Sequence, residues 1–336
     1  MVQKSGSIQG LKGIAAFIVF LSHALMTFKS DLVLAVYHSP FHFLFDGQCS
    51  VMIFFSISGF FYYNAKNSSV KSYFSGIRKK IKKIYPPYII IMIVGYFLCN
   101  LHLDYPASLF TDWSNSFWVK DVSFVELLKQ LSILYPHDSK LINSPVWYLN
   151  IEVKCFLIIP LIIIAFKSKY GGIWCLFPFW FLMIFGKFSY LGSFLIGSYC
   201  RYLIINKPKL IDLLNKDSFR LSMMVLGIIM LNIRNEIDIF PSNANFIIQS
   251  IGASIIVSIL YIKSYPLFEY QICRWLGDIS YEFYLIHFIV ILTLKSFCLS
   301  FWVFFILSLF ISIFIAFFIN TLLQSINQRI DSIKIK

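Results

Sequence analysis

Long apolar runs recur along the whole chain, separated by shorter polar segments. A helix needs about 20 residues to cross a hydrocarbon core about 30 Å thick, and a spanning helix satisfies its own backbone polar groups. The runs therefore predict an all-α fold, a polytopic integral membrane bundle of about ten transmembrane helices. The predicted spans are residues 8–28, 47–64, 84–101, 146–166, 172–186, 188–206, 219–233, 244–262, 277–295 and 300–323.

The composition also indicates a membrane protein. Of the 336 residues, 58% are hydrophobic and 13% are charged, whereas a soluble domain is about 45 to 50% apolar and about 25% charged. The chain is expected to form a single membrane domain, residues 1–336, with no appended soluble domain.

The basic residues are unevenly distributed between the two sides of the predicted bundle. When alternate loops are assigned to alternate sides, the side with both termini receives 21 of the 29 Lys and Arg residues, and the other side receives 7. Because cytoplasmic loops carry the excess of Lys and Arg, both termini are predicted to be cytoplasmic. Topology thus accounts for the net charge of +13, and nucleic acid is not an expected partner.

The seven cysteines are scattered through or beside the spans, with no CxxC spacing and an odd count. This pattern argues against a disulfide framework and against a metal site, so no metal is expected.

The longest segment between predicted spans, about residues 101–145, falls on the outer side. Within it, "DVSFVELLKQLSILY" has apolar residues at helical spacing, with Ser123 and Glu126 available as a capping pair. We expect a short helix over the outer mouth of the bundle.

Ionisable side chains inside the predicted spans are the first candidates for chemistry. An Arg, Lys or Asp at mid-helix costs about 2.5 to 3.5 kcal/mol on insertion scales, so such residues usually face a cavity or a partner. The candidates are His23, Glu152, Lys154, Arg201, Glu282 and His287.

His23 lies in "IVFLSHALMTF", roughly 22 Å from the cytoplasmic start of the first span at about 1.5 Å per residue. An imidazole has an ordinary pKa near 6.5 and can act as a general base if substrate reaches it. The alternative is a structural histidine bonded to a neighbouring helix. Position alone leaves both open.

Glu152, in "PVWYLNIEVKCF", is expected roughly 9 Å deep from the outer side, a depth comparable with that of His23. A buried carboxylate needs a partner, and Lys154 points to a different face, so the partner is expected elsewhere. Glu152 is either half of a structural ion pair or a group that orients a base or holds a sugar hydroxyl. His287, three residues after Tyr284 in "GDISYEFYLIHF", is open to a functional role or to plain interhelical packing.

The stretch "RKKIKKIYPPY" puts Arg78, Lys80 and Lys83 at the cytoplasmic entrance of the third span, where Pro86 is compatible with a helix start. Such a cluster either anchors the chain to anionic lipid or forms a phosphate-binding mouth for an anionic cofactor. The small residues of "SISGF", Ser56–Phe60, either permit close helix approach or line a ligand channel.

Several stretches, in this order, resemble the membrane-embedded acyltransferase family 3. "IQGLKGIAAFIVFLSH" resembles its first-helix motif, which ends in His, and "GQCSVMIFFSISGFFYY" resembles its second helix. "KKIKKIYPPY" matches its basic-x-x-basic-Ile-x-Pro pattern, "VWYLNIE" its Trp-x-Leu-x-x-Glu pattern and "LGDISYEFYLIH" its last signature. The likeness extends from about residue 7 to residue 288.

The resemblance implies roles for individual residues. The family's first-helix histidine is catalytic, which carries onto His23, and Glu152 is expected to orient the acceptor or the imidazole. The family's paired basic residues handle the acyl-CoA donor, which carries onto Lys80 and Lys83. The donor-binding set is completed by Lys12, Arg78 and, beside the donor tunnel, Ser58.

This chain departs from the family pattern at several of these positions. The family prefers Arg at Lys12, Lys80 and Lys83, and an acidic residue at Gln9. Lysine supplies a point charge without the bidentate fork of arginine, so the geometry of a phosphate contact changes.

The resemblance thus implies a membrane O-acetyltransferase of a bacterial cytoplasmic (inner) membrane. It would move an acetyl group from cytoplasmic acetyl-CoA to a sugar hydroxyl of a lipid-linked or surface polysaccharide, of O-antigen or capsule type. His23 would take the hydroxyl proton or carry the acetyl group itself. The expected partners are acyl-CoA, the glycan acceptor and membrane lipids. The alternative is a transporter or flippase for a lipid-linked glycan, which many spans and a basic mouth also fit.

Overall fold

The structure is a computed structural model that describes residues 6–30, 33, 35–36, 39, 41–63, 70–135, 138–166, 189–233 and 244–334. These residues form helices and loops without a strand, apart from an isolated antiparallel bridge between Phe28 and Phe110. The α-helices are α1 (Gly6–Thr27), α2 (Gly47–Tyr62), α3 (Val70–Cys99), α4 (Asp112–Asn115), α5 (Phe124–Leu131), α6 (Val146–Phe166), α7 (Ser189–Asn206), α8 (Pro208–Asn215), α9 (Asp217–Leu231), α10 (Ala244–Ile262), α11 (Pro266–Glu269), α12 (Gln271–Asp278), α13 (Ser280–Leu294) and α14 (Phe301–Lys334). Short 3₁₀ helices cover His42–Leu44, Ala107–Leu109 and Lys295–Phe297.

In the described part of the chain, five helices are long and apolar enough to cross a membrane, and α2 is a shorter apolar helix. This confirms the all-α membrane fold. Helices also overlap the predicted spans 146–166, 188–206 and 219–233, whereas the predicted span 172–186 lies outside the described residues. The total of ten spans and the cytoplasmic position of both termini stay predictions. The five helices are Gly6–Thr27, Phe74–Cys99, Asn245–Ile262, Ser280–Phe297 and Phe301–Ile330.

Helix α3 begins earlier than the sequence indicated. Pro86 was expected near the first turn, but both Pro86 and Pro87 lie inside a continuous helix, so that expectation is wrong. Lys and Arg are good helix formers, and they extend the helix before the prolines. A proline inside a membrane helix is tolerated where neighbouring groups satisfy freed carbonyls. Two residues before Pro86, the hydroxyl of Tyr281 donates to the carbonyl oxygen of Ile84 at 3.0 Å, which ties α3 to α13 but does not replace a bond lost at the prolines.

Glycines let two pairs of helices touch through their backbones. A Cβ atom on Gly277 of α12 would collide with the carbonyl of Gln9 in α1, and one on Gly59 of α2 would collide with the carbonyl of Phe194 in α7. Small residues are what such close approach requires. The interpretation of "SISGF" as a close helix contact is therefore confirmed for Gly59.

Helix α13 lies at the centre of the bundle. Thirteen of its fifteen residues are buried, and it packs against α1, α3 and α14. Because so little of α13 is exposed, its ionisable residues Glu282 and His287 face other helices or a cavity.

The outer segment contains the predicted short helix, α5. The Ser123 side chain caps it by accepting a hydrogen bond from the backbone N–H of Glu126 at 3.2 Å, which confirms the Ser123 half of the capping pair. The Glu126 carboxylate contacts Gln130 and Lys129. The helix packs on α3, where the hydroxyl of Tyr88 donates to the carbonyl oxygen of Gln130 at 2.5 Å.

A buried lysine ties another part of the outer segment to the bundle. Nζ of Lys295, a residue only 1% exposed, donates to the carbonyl oxygen of Ser114 and to Oδ1 of Asn115, both at 3.0 Å. It also lies 3.9 Å from the ring centre of Tyr105, a cation–π contact. Burial raises the pKa of the Tyr105 phenol.

Helix α6 begins inside the bundle rather than at its outer surface. Nδ2 of Asn143 donates to the carbonyl oxygen of Leu285 at 2.8 Å, and the hydroxyl of Tyr284 donates to the carbonyl oxygen of Pro145 at 3.0 Å. Tyr284 and Leu285 are in the first half of α13. The loop before α6 therefore descends toward the middle of the bundle.

Candidate active site

A cavity of about 570 Å³ opens where α1 and α13 begin and α2 ends, the end that the predicted topology assigns to the cytoplasm. Small-molecule sites typically enclose about 300 to 1,000 Å³. Its charged lining residues are Lys12, Lys80, Lys83, Glu152, Asp278 and Glu282. Its other polar and aromatic lining residues are Gln9, Ser58, Ser280, Asn320, Gln324, Phe54, Phe61, Tyr62, Tyr148, Tyr281 and Tyr284.

The charges of the lining are balanced, with three lysines and three carboxylates. Further positive charge lies outside the cavity on exposed side chains of α3. An anion would therefore meet an exposed basic surface first and a mixed lining afterwards. The exposed side chains are Arg78, Lys79 and Lys82.

Glu152 is the most connected carboxylate of the cavity. Its Oε1 atom lies 3.1 Å from Nζ of Lys80 and accepts a hydrogen bond from Oγ of Ser58 at 2.6 Å. Nζ of Lys80 also lies 4.6 Å from the ring centre of Phe156. The expectation that the partner of Glu152 is not Lys154 is confirmed, because Lys154 is exposed.

His23 is paired with His287 from the central helix α13. Nδ1 of His23 lies 2.8 Å from Nε2 of His287, and the planes of the two rings differ by 13°. His287 is fully buried, whereas His23 is partly exposed. The ring of Phe288 meets His23 edge-on, and the ring of Trp113 lies 5.7 Å away, centre to centre.

The histidine pair lies beyond the far end of the cavity, and His23 is not among the lining residues. Tyr284 lines the cavity, and its ring centre lies 5.9 Å from that of His287 and 5.6 Å from that of Tyr148. A layer of aromatic rings thus separates the charged cavity from His23.

The structure places Glu152 closer to the inner rim than His23. The contact between Tyr281 of α13 and Ile84 of α3 marks one level of the bundle. Glu152 bonds Lys80, which lies four residues before Ile84, on the inner side of that level. His23 bonds His287, which lies six residues after Tyr281, on the outer side of it. Six helical residues span about 9 Å. The expectation of similar depths is wrong because α6 begins within the bundle.

The predicted site residues fall into three groups. The cavity brings together Lys12, Lys80, Lys83, Ser58 and Glu152. Arg78 is exposed and does not line the cavity, and His23 lies beyond the aromatic layer. Their roles in donor binding and catalysis stay predictions.

Sequence reasoning missed Asn320 and Gln324, which α14 contributes to the cavity. Nε2 of Gln324 donates to Oδ1 of Asn320 at 2.7 Å. The signal was a pair of amides four residues apart at the end of an apolar span, a spacing that puts both on one helix face. It also missed Asp278, whose Oδ1 accepts from Nε2 of Gln9 at 2.9 Å.

The family model described as an acyltransferase domain, that of acyltransferase family 3, matches residues 5–321. The chain belongs to acyltransferase family 3. As a member of that family it is a membrane acyltransferase. Comparisons with curated proteins and with solved structures give no match.

The part of the chain that matches acyltransferase family 3 includes the histidine pair and the whole cavity lining except Gln324. The two features described above are therefore both within the acyltransferase domain. Among the described residues, no group of three or more His, Cys, Asp and Glu side chains is arranged to hold a metal ion.

Proposed function

We propose that this membrane acyltransferase moves an acetyl group from cytoplasmic acetyl-CoA to a hydroxyl group of a lipid-linked or surface polysaccharide, in the inner membrane of a bacterium. The acceptor would be a sugar of O-antigen or capsule type. His23 is the proposed general base.

One relationship carries the proposal. Lys12, which lines the cavity, and His23 lie on the same helix, eleven residues apart, or about 16 Å. A pantetheine arm is about as long as an extended tetrapeptide, about 14 Å. A donor whose phosphates stay in the cavity would thus present its thioester near the histidine.

The lysines of the cavity are the proposed phosphate ligands. Lys80 is paired with Glu152, so a phosphate at Lys80 would compete with a carboxylate. Lys12 and Lys83 line the same cavity, and charge-assisted hydrogen bonds to phosphate are about twice as strong as neutral ones. The exposed Arg78 would attract the donor without holding it.

The proposal requires the aromatic layer to open. The thioester has to pass Tyr148 and Tyr284, and the hydroxyl of Tyr284 is held by the carbonyl of Pro145. Movement of this ring would connect the cavity to the histidine pair.

The chemistry needs one proton transfer. As the sugar hydroxyl attacks the thioester carbonyl, His23 would accept the hydroxyl proton and then return it to the departing CoA thiolate. General base catalysis of this kind contributes about 10² to 10⁴ in rate.

The test is transfer of radiolabelled acetyl groups from acetyl-CoA to glycan in membranes that contain the protein. His23→Ala should lose at least about 10²-fold in rate, whereas His102→Asn, on an exposed outer loop, should match the wild type. His102 has a φ of 46°, which asparagine tolerates. Full activity of correctly inserted His23→Ala would refute the proposed role.

Binding of acetyl-CoA distinguishes the proposed acyltransferase from the alternative, a transporter or flippase. The match to an acyltransferase family counts against that alternative. Acetyl-CoA at a hundred times its Kd should stabilise the detergent-solubilised protein by about 2.7 kcal/mol. A carrier of lipid-linked glycan has no reason to respond to acetyl-CoA.

A further inference from the structure

The hydrogen bonds of the histidine pair run in one direction. Nδ1 of His287 lies 3.2 Å from the carbonyl oxygen of Phe283, one turn earlier on α13. A carbonyl oxygen only accepts, so Nδ1 of His287 carries the proton in this contact. In a neutral imidazole the other nitrogen, Nε2, is then an acceptor.

The same reasoning fixes the state of His23. Nε2 of His287 accepts from the atom 2.8 Å away, which is Nδ1 of His23. Nδ1 of His23 therefore carries the proton, and Nε2 of His23 is left with its lone pair. Among the described residues, Nε2 of His23 has no hydrogen-bond partner.

The surroundings favour neutral rings. The rings of Phe20, Phe288 and Trp113 pack against the pair, and His287 is fully buried. No carboxylate forms an ion pair with either histidine among the described residues, and an unpaired buried charge is costly. A neutral chain of two imidazoles ending on a backbone carbonyl satisfies every donor.

We infer that His287 is a positioning residue for acyl transfer, which fixes the tautomer and orientation of His23 so that Nε2 of His23 is the basic nitrogen. This inference rests on the proposed function. In the reaction the acceptor oxygen forms a bond to the thioester carbon, Nε2 of His23 takes the hydroxyl proton, and the C–S bond breaks. The proton then passes to the CoA thiolate, giving the acetyl ester and free CoA.

Two substitutions separate this role from packing. His287→Phe keeps a ring but removes the acceptor for Nδ1 of His23. His287→Gln offers an amide oxygen as a replacement acceptor. Thr293→Val is the matched control, because it also removes a side-chain bond to the carbonyl one turn earlier on α13, that of Ile289.

The kinetic expectation is a change in kcat alone. Loss of a group that orients a metal-ligating histidine typically costs about 10 to 100-fold, and we expect a loss of the same order for the orientation of His23. His287→Phe should lower kcat by that factor with the KM for acetyl-CoA unchanged, since His287 does not line the cavity. His287→Gln should recover part of the loss, and Thr293→Val should keep the wild-type kcat.

A spectroscopic measurement reads the tautomer directly. The full chain, labelled with ¹⁵N-histidine in detergent, contains six histidines, and His23→Ala identifies the His23 signals. In the wild type Nδ1 of His23 should be protonated and Nε2 not, and His287→Phe should lose this bias. A protonated Nε2 in the wild type, or a wild-type kcat in His287→Phe, overturns the inference. Wild-type protein with no acetyl transfer, or an active His23→Ala variant, instead overturns the proposed function. The ¹⁵N spectrum of the wild type decides the tautomer in either case. It does so even if His287→Phe fails to fold.

Discussion

Lys80 of α3 and Glu152 of α6 form an ion pair in the wall of the inner cavity, with Nζ and Oε1 3.1 Å apart. The pair is asymmetric, because the Glu152 side chain is 5% exposed and that of Lys80 is 26% exposed. The bonds from Lys80 and from the Ser58 hydroxyl both end on Oε1 of a carboxylate that has almost no access to water.

Because of this asymmetry, the effects of substituting Lys80 and Glu152 on the free energy of unfolding should not be additive. Lys80→Met leaves a buried carboxylate with one charge partner fewer and should lower the free energy of unfolding by about 2 kcal/mol, less than the 3 to 5 of a fully buried pair. The double variant Lys80→Met/Glu152→Gln should be about 1 to 3 kcal/mol more stable than additivity predicts. Thermal unfolding in detergent measures both, with the exposed Lys154→Met as control. Simple additivity would contradict the energetic importance of the pair.

Donor affinity should depend on which basic residues line the cavity. Lys12→Ala should raise the KM for acetyl-CoA about 10-fold or more, because a hydrogen bond to a charged group contributes about 1.5 to 3 kcal/mol. Arg78→Ala should have a smaller effect, since Arg78 is exposed outside the cavity. Steady-state kinetics at fixed ionic strength compares the two variants. Equal increases in KM would place the phosphates outside the cavity.

Two glycines should respond to alanine in opposite directions. A Cβ atom at Gly59 meets the backbone of Phe194 in α7, whereas one at Gly76 of α3 has no neighbour within 4 Å. Gly59→Ala should therefore destabilise the protein by about 1 to 3 kcal/mol, and Gly76→Ala should stabilise α3 by about 0.5 to 1 kcal/mol. Thermal unfolding of the pair of variants tests this. A neutral Gly59→Ala would mean that α2 and α7 can separate without cost.

Lys295 should hold the outer segment in place. Lys295→Met leaves the carbonyl of Ser114 and the side chain of Asn115 without their donor, at a cost of about 1 to 3 kcal/mol. Lys29→Met removes only an exposed 4.0 Å pair with Asp112 and should change stability by less than about 0.5 kcal/mol. Hydrogen exchange should accelerate around Ser114 in the first variant alone. Protection unchanged in Lys295→Met would show that other contacts hold the segment.

Much of the fold was accessible from the sequence, because the physical constraints are local. The bilayer requires long apolar helices, which hydropathy reveals directly. The α5 cap depends on two residues three apart, and the contact at Gly59 depends on small residues within one short stretch. Each of these signals can be read within a few residues.

The arrangement of the site could be predicted only in part. Lys12, Lys80, Lys83, Ser58 and Glu152 were selected from charged and small residues in or beside the spans and from family motifs, and the structure brings them to one cavity. Their depth could not be predicted, because the descent of the loop before α6 depends on contacts with residues about 140 positions away.

The pairing of His23 with His287 could not be predicted from the sequence for a related reason. His23 and His287 are separated by 264 positions, and either residue alone reads equally well as a structural histidine. The parallel packing of α1 and α13, in which Phe20 meets Phe283 and His23 meets His287, brings them to one level. A pairing of this kind leaves no local signature in a single sequence.

The backbone contact between Gln9 and Gly277 fixes one wall of the cavity, because α1 and α12 cannot separate or slide there without losing close packing. Helices α3 and α14 also line the cavity, and their most apolar stretches are 33% and 28% buried, against 78% for α13. These two helices turn most of their surface away from the bundle. If these two helices move outward to widen the cavity, they displace lipid acyl chains, so the lateral pressure of the bilayer contributes to the energy needed to admit a ligand.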